Sequence, residues 1–234
     1  MDEVFEKVAK AKENTEKNLQ NSKELFESYL QSVFANPGKN WEEKRIGEVC
    51  ELKSGTTIPT KLERKEGDVL YTKIADMNLP ENLIEMKTSS RFVNSTEIKK
   101  NQIIPVGAII FPKRGGAIAT NKKRRIVKPT IVDLNTMAII PGKKIDRDYF
   151  FHWFQLIDLN EISNGTTIAQ INNYSFDEIY IPYPISLLEQ KAIVKKLDTL
   201  SEQTKKLEGV YKQKLADLEE LKKSVLHKAF SGEL

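Results

Sequence analysis

Ser186-Leu187-Leu188-Glu189-Gln190-Lys191-Ala192-Ile193-Val194-Lys195-Lys196-Leu197 opens the stretch whose periodicity decides the architecture of this chain. Ser186 stands three residues before Glu189, the spacing of a capping box, directly after Pro182 and Pro184, which a helix interior does not accept. From Leu197 one stripe steps by three and four through Leu200, Thr204, Leu207, Tyr211, Lys214, Leu218, Leu221 and Val225, the pattern of a coiled-coil seam. At about 1.5 Å per residue, a helix from Ser186 to Phe230 is roughly 65 Å long. That exceeds a compact domain of this size, so the helix must protrude or lie against a second long helix.

The other end of the chain offers one. Its first 35 residues contain neither Gly nor Pro, and Val4, Val8, Ala11, Thr15, Asn18, Ser22, Leu25 and Tyr29 trace a weaker heptad, stopped by Asn36-Pro37-Gly38. The two segments are related. At an offset of 196 residues, Leu19/Leu215, Glu24/Glu220, Leu25/Leu221, Ser28/Ser224, Leu30/Leu226 and Phe34/Phe230 are identical, six matches in sixteen positions. One helical module used twice is the sharper reading; two unrelated amphipathic helices is the plainer one.

Residues 40–185 read differently. Short β-rich runs at Asp68–Thr72, Ala108–Phe111, Thr130–Val132, Met137–Ile140 and Glu178–Ile181 are set off by Gly and Pro. One amphipathic helix fits from an Asp146 N-cap to about Ile162, with Phe150, Trp153, Phe154 and Ile157 on a core-facing stripe. The expected fold is therefore α+β: one globular domain flanked by two long helices, divided as 1–38, 39–185 and 186–234. A 39% apolar, 30% charged composition suits a folded, water-soluble chain rather than a disordered one. The lone Cys50 excludes an internal disulfide framework and fits a reducing compartment. No apolar run is long enough for a membrane span, and the N-terminus lacks a signal-peptide core.

Charge decides more by distribution than by sum. The net charge is only +4, yet residues 98–132 hold nine basic side chains and no acidic one. The densest part runs Lys113-Arg114-Gly115-Gly116, then Asn121-Lys122-Lys123-Arg124-Arg125. A glycine turn lets backbone N–H groups approach a phosphate, and arginine reaches both phosphates and guanine edges. A solvated charge run is the bland alternative. A second polar cluster, Asn164 to Asn173, carries Thr167, Gln170, Asn172 and Asn173, whose amides and hydroxyls suit adenine edges. Catalytic patterns are missing: His152 and His227 have no metal-ligand neighbours at the usual spacings, and no nucleophile elbow, P-loop or dinucleotide fingerprint occurs.

Three stretches carry a resemblance: Gly165-Thr166-Thr167-Ile168-Ala169-Gln170-Ile171-Asn172, then Ile179-Tyr180-Ile181-Pro182-Tyr183-Pro184, then Leu188-Glu189-Gln190-Lys191-Ala192-Ile193-Val194. They look like the end of a target-recognition domain in a type I restriction–modification specificity subunit. The segment Leu218 to Leu234 resembles that family's spacer helix, and Trp41 to Gly55 its usual domain start. Gly67–Tyr71 and Lys113–Gly116 match its strand and loop signatures. Two departures stand out. Pro184-Ile185-Ser186-Leu187-Leu188 replaces the family's common Pro-Pro-Leu, and there is one recognition domain where the family usually has two.

The resemblance implies a half-sized, non-catalytic specificity subunit, cytoplasmic in a bacterium or archaeon. Its partners would be double-stranded DNA, methyltransferase subunits and restriction subunits. S-adenosylmethionine, ATP and Mg²⁺ would belong to those partners, none to this chain. The stripe at Leu197, Leu200, Leu207, Tyr211, Leu218, Leu221 and Val225, with Leu25, would pair helices in a homodimer reading an inverted bipartite site. Two other classes compete: a coiled-coil scaffold whose basic globule ignores DNA, and a stand-alone nuclease or methyltransferase.

Overall fold

The computed structural model describes residues 2–165 and 168–231. They form two units, one of residues 37–194 and one joining 1–36 with 195–234. In chain order the elements are α1 (Asp2–Ala35), β1 (Trp41–Arg45), α2 (Ile46–Val49), β2 (Cys50–Ser54), β3 (Val69–Thr72), β4 (Glu85–Met86) and β5 (Phe92–Val93). They continue as β6 (Ile109–Pro112), β7 (Arg124–Ile126), β8 (Thr130–Val132), β9 (Thr136–Pro141), α3 (Arg147–Phe154), β10 (Tyr180–Pro184) and α4 (Leu187–Phe230). The class is α+β, with a sheet domain between two long helices in the chain.

In the helical unit, Lys12 of α1 bonds Glu219 of α4, and Phe5, Val8, Leu218 and Leu226 line one groove. The first turns of α1 thus lie against the last turns of α4. The buried seam of α1 runs through Val8, Thr15, Ser22, Leu30 and Phe34, with Phe5, Leu19 and Phe26 half-buried. Val8, Ala11, Thr15 and Ser22 face inward as expected, but the alternate positions are corrected: Val4, Asn18, Leu25 and Tyr29 face out, and their neighbours Phe5, Leu19, Phe26 and Leu30 take the inner places. The buried hydroxyls are satisfied within their own helices, Thr15 Oγ1 donating to the Ala11 carbonyl at 2.7 Å and Ser22 Oγ to Asn18 at 2.8 Å.

On α4, Leu197 is buried and Leu200, Tyr211, Leu218 and Val225 half-buried, but Leu207 and Leu221 are exposed. The internal repeat follows these faces. Leu19/Leu215 and Leu30/Leu226 turn inward in both copies, and Leu25/Leu221 outward, at 51% and 48% exposure. Phe34 is buried while Phe230 is exposed, so the copies diverge at their ends.

The globule is built on a five-stranded sheet in the order β2-β9-β6-β7-β4, a three-stranded sheet β5-β3-β8, and the pair β1-β10. All contacts of β3 with β8 and of β4 with β7 are parallel; the other strand pairs are antiparallel. One core cluster gathers Met77, Met86, Ile104, Ala108, Ile110, Ile126, Val132 and Ala138 beside the large sheet. A second holds Ile58, Val69, Tyr71, Val93 and Ile131. Pro182 and Pro184 fit in β10 because, among the described residues, its only partner strand is β1, leaving an edge where a missing N–H costs nothing.

Asp146 caps α3 as expected, its carboxylate accepting the N–H groups of Asp148 and Tyr149 at 3.0 and 3.1 Å. The helix then stops at Phe154, short of Ile162. Asp158 explains part of this: its carboxylate takes the Asn160 N–H at 2.9 Å in a local turn that competes with helix.

Gln190, in the first turns of α4, is fully buried. Its Oε1 accepts the Asp146 N–H at 2.6 Å, and its Nε2 donates to the carbonyls of Lys144 and Pro184 at 2.9 and 2.8 Å. Gln190→Leu keeps the volume but strands three backbone groups. We expect a loss of about 3 kcal/mol, at roughly 1–3 kcal/mol per unsatisfied buried group, read as a melting temperature roughly 6–12 °C lower.

Candidate nucleic-acid interface

The two polar segments singled out in the sequence meet at one end of the large sheet. β6 ends at Pro112, and the chain continues into Lys113 and the glycines beside the loop 168–173. The Lys113 carbonyl accepts the Ile171 N–H at 2.9 Å, and the Gly115 N–H donates to the Ala169 carbonyl at 2.8 Å. Arg114 bridges Gln170, and Gln170 bridges Asn164 through paired backbone bonds of 2.7 Å each way. Directly bridged residues in such ladders project on the same face. Arg114, Gln170 and Asn164 therefore stand abreast: a guanidinium, then two amides.

Asn164 Nδ2 donates to Ser175 Oγ at 3.1 Å, and the rest of the row is open. Arg114 is exposed, and among the described residues its guanidinium has no hydrogen-bond or ion-pair partner. Gly115 has φ +70°, a left-handed conformation that favours glycine, and a Cβ at Gly116 would stand in empty space. Lys113 Nζ bonds Ser54 Oγ at 3.1 Å at the end of β2, which adds a hydroxyl to the rim. Asn172 Nδ2 bonds the hydroxyl of Tyr174 at 3.0 Å, and Tyr174 is 60% exposed. Asn173 is exposed beside it. Thr167 lies outside the described residues. Beneath the loops Phe111, Phe154 and Phe176 pack ring on ring at 5.4 to 6.4 Å, giving them a rigid floor.

The rest of the basic run does not join this surface. Lys122 is half-buried, its ammonium bonded to Asn78 Oδ1. Lys123 is only 4% exposed; it donates to Asn121 Oδ1 at 3.0 Å and to the Ile157 carbonyl at 2.6 Å, and lies 5.5 Å from the Phe154 ring. Arg124, 8% exposed, gives three bonds to the carbonyls of Met77 and Lys123 at 3.0 to 3.3 Å. Burial holds the Lys123 ammonium down at about 8 and pulls the Arg124 guanidinium below its ordinary range. Arg125 is clamped by Asp148 at 2.6 Å and Glu85 at 3.1 Å, over the Phe151 ring.

Asn121 is also spent on structure, its Oδ1 taken by Lys123 and by the Leu159 N–H. The expectation that residues 121–125 present their polar groups outward is thus corrected. Arg124 lies on the inner side of β7, and Lys123 in the lead-in is drawn inward by Asn121 Oδ1 and the Ile157 carbonyl, while Lys122 and Arg125 stay half-buried against Asn78, Asp148 and Glu85. Ser54, Asn164 and Tyr174 were not singled out as site residues. Asn164 at the head of an Asn-Gly pair was the one signal available; nothing in the sequence marks the other two.

Residues 38–219 match the family model for the type I restriction modification DNA specificity domain. The chain belongs to that family. It is 27% identical over 179 residues to the type I restriction enzyme MjaIX specificity subunit of Methanocaldococcus jannaschii, covering 72% of this chain and 40% of that protein. It is 29% identical over 209 residues to the StySPI specificity subunit of Salmonella potsdam, covering 85% and 45%. The chain spans about half the length of the curated relatives it matches. The same fold occurs in a solved type I R-M system, with a TM-score of 0.80 at 21% identity over all of this chain and 57% of the other. It recurs in the HsdS subunit from Thermoanaerobacter tengcongensis, at 0.71 and 21% over all of this chain and 56% of that one.

Among the described residues no helix is long and apolar enough to cross a membrane.

Proposed function

We propose that this chain is the sequence-specific DNA-recognition subunit of a type I restriction–modification complex, itself without catalytic activity. The observation that carries the reading is the row Arg114–Gln170–Asn164, presented beside an unobstructed glycine backbone. An arginine fork matches the O6 and N7 of guanine, and a carboxamide matches the N6 and N7 of adenine. Backbone N–H groups and Lys113 serve the flanking phosphates. Family membership supports the same assignment.

In this reading methyltransferase subunits bring S-adenosylmethionine, and restriction subunits bring ATP and Mg²⁺; this chain supplies the address. The complex works in the cytoplasm of a bacterium or archaeon. Two copies act together, since one globule carries one set of readers, and Leu25, Leu207 and Leu221 leave apolar positions on the helical unit outside its own seam. A two-fold dimer requires two inverted half-sites separated by unread bases.

The purified chain should bind duplex DNA more weakly as salt rises, and should transfer no methyl group from labelled S-adenosylmethionine. Adding the companion methyltransferase subunit should produce methylation at one inverted motif. Solution mass should be near twice 26.8 kDa. Turnover by the chain alone would overturn the division of labour; a motif with two unrelated halves would overturn the dimer.

A further inference from the structure

Asn121, half-buried, and Lys123, buried, lie just past the glycine loop and together make a small hydrogen-bonded cluster. Asn121, at φ 48°, is the only non-glycine residue with positive φ among the described residues. It closes the 3-10 turn of residues 115–120, its N–H bonding the Ile118 carbonyl at 2.9 Å. Its Oδ1 accepts twice, from Lys123 Nζ at 3.0 Å and from the Leu159 N–H at 3.1 Å. Lys123 Nζ donates onward to the Ile157 carbonyl at 2.6 Å. Residues 157–159 begin the segment that runs to Asn164. Two side chains and three hydrogen bonds thus tie the trailing end of one reading loop to the leading stem of the other. The opposite ends are held by the Lys113–Ile171 and Gly115–Ala169 bonds.

We propose that Lys123 and Asn121 form a clasp that sets the spacing of the two loops, and so determines which bases the row Arg114–Gln170–Asn164 reaches. Neither is a DNA contact; both are positioning residues. The proposal rests on the DNA-reading assignment above.

The chemistry of the cluster favours this over a purely structural role. A buried ammonium that feels the field of nearby Asp158 but bonds no carboxylate is a costly way to fill a core. Burial lowers Lys123 from its ordinary 10.5 to about 8. The penalty is therefore present in full below about pH 8 and is relieved only as pH rises toward the ordinary lysine range. Methionine would occupy the same space with no charge to desolvate. What lysine adds is a donor that joins two fixed acceptors across the loop stems. Losing it leaves Asn121 its bond from Leu159, and leaves the carbonyl of half-buried Ile157 able to meet water.

Lys123→Met in the full chain separates the two roles. The melting temperature should equal or exceed that of the wild type. Amide exchange at Leu159 and across residues 115–121 should accelerate tenfold or more. In the assembled methyltransferase, acting on a randomised duplex pool, the preference for the best motif over its single-base variants should fall tenfold or more. The salt dependence of binding should not change, because no phosphate contact is lost. Asn121→Gly keeps the left-handed backbone accessible and removes the shared acceptor, so it should lose discrimination likewise.

Unchanged exchange in both variants overturns the clasp. So does unchanged discrimination, or a large fall in melting temperature with discrimination intact in the folded protein. A wild-type complex that prefers no motif counts against the DNA-reading assignment instead, and amide exchange alone then decides whether the clasp exists.

Discussion

A chain with alanine at Lys122, Lys123, Arg124 and Arg125 should melt roughly 10–20 °C below the wild type while keeping its salt dependence of DNA binding at temperatures where it is folded. Taken as a surface charge run, the four residues should do the reverse: leave stability alone and flatten the salt slope by roughly 0.9 per lost phosphate contact. The geometry decides between these outcomes. Arg124 satisfies two buried carbonyls, those of Met77 and Lys123. Arg125 neutralises Asp148 and Glu85, and its removal leaves two carboxylates beside one another's field.

At roughly 1–3 kcal/mol for each of the two buried carbonyls left without a partner, and about 1 kcal/mol for the part-exposed ion pairs of Arg125, the combined loss is about 4–6 kcal/mol. That is a large part of the 5–15 kcal/mol by which domains are ordinarily stable. Arg124 carries the largest share, because its acceptors are carbonyls of two buried residues, Met77 and Lys123. Thermal melting by circular dichroism, with a binding titration at two salt concentrations, reads both quantities. A near-native melt with a slope reduced by three or four units would return these side chains to the DNA surface.

The contrast with the sequence reading has a physical origin. The long helices were legible because a 3,4 periodicity over many turns leaves few alternatives, and because Pro37-Gly38 and Pro182–Pro184 punctuate them. Even so, half of the α1 seam moved by one position, while Val8, Ala11, Thr15 and Ser22 stayed on the inner face. With Thr15, Ser22 and Asn18 in competition, only tertiary packing shows that Phe5, Leu19 and Phe26 outweigh Val4, Leu25 and Tyr29.

Strands β3, β6, β8 and β9 announce themselves through runs of Val, Ile and Tyr. Strand β7, Arg124–Ile126, does not. Two arginines suggest a loop, and the carbonyls and carboxylates that take them inside come from distant segments: Met77, Glu85, Asp148. The same limit applies to the site. The glycine turn and the amide-rich segment were each visible, but their pairing is a contact between residues some 55 positions apart, 114 and 170, which no local pattern encodes.

Arg114→Ala should lower discrimination at one base pair by roughly 10- to 100-fold, about 1–3 kcal/mol for a lost bidentate contact, with no measurable change in melting temperature. The second half follows from exposure: the guanidinium makes no bond to the described protein, so removing it strands nothing. The first half follows from neighbours. The backbone of Arg114 is fixed by the bridge to Gln170, made by the Gly115–Ala169 and Ile171–Lys113 bonds, so its side chain leaves the ladder from a set point rather than from a mobile loop. Arg114→Lys separates the two things an arginine can do. Lysine keeps the charge but not the planar fork, so a phosphate contact would survive it and a guanine contact would not.

The expected result is therefore a lysine variant whose salt slope matches the wild type and whose discrimination matches the alanine variant. If lysine restores discrimination in full, Arg114 serves the backbone, and base reading passes to the two amides beside it. Gln170→Ala would then be the variant that erases preference, and its effect should fall on an A·T pair adjacent to the position Arg114 spans.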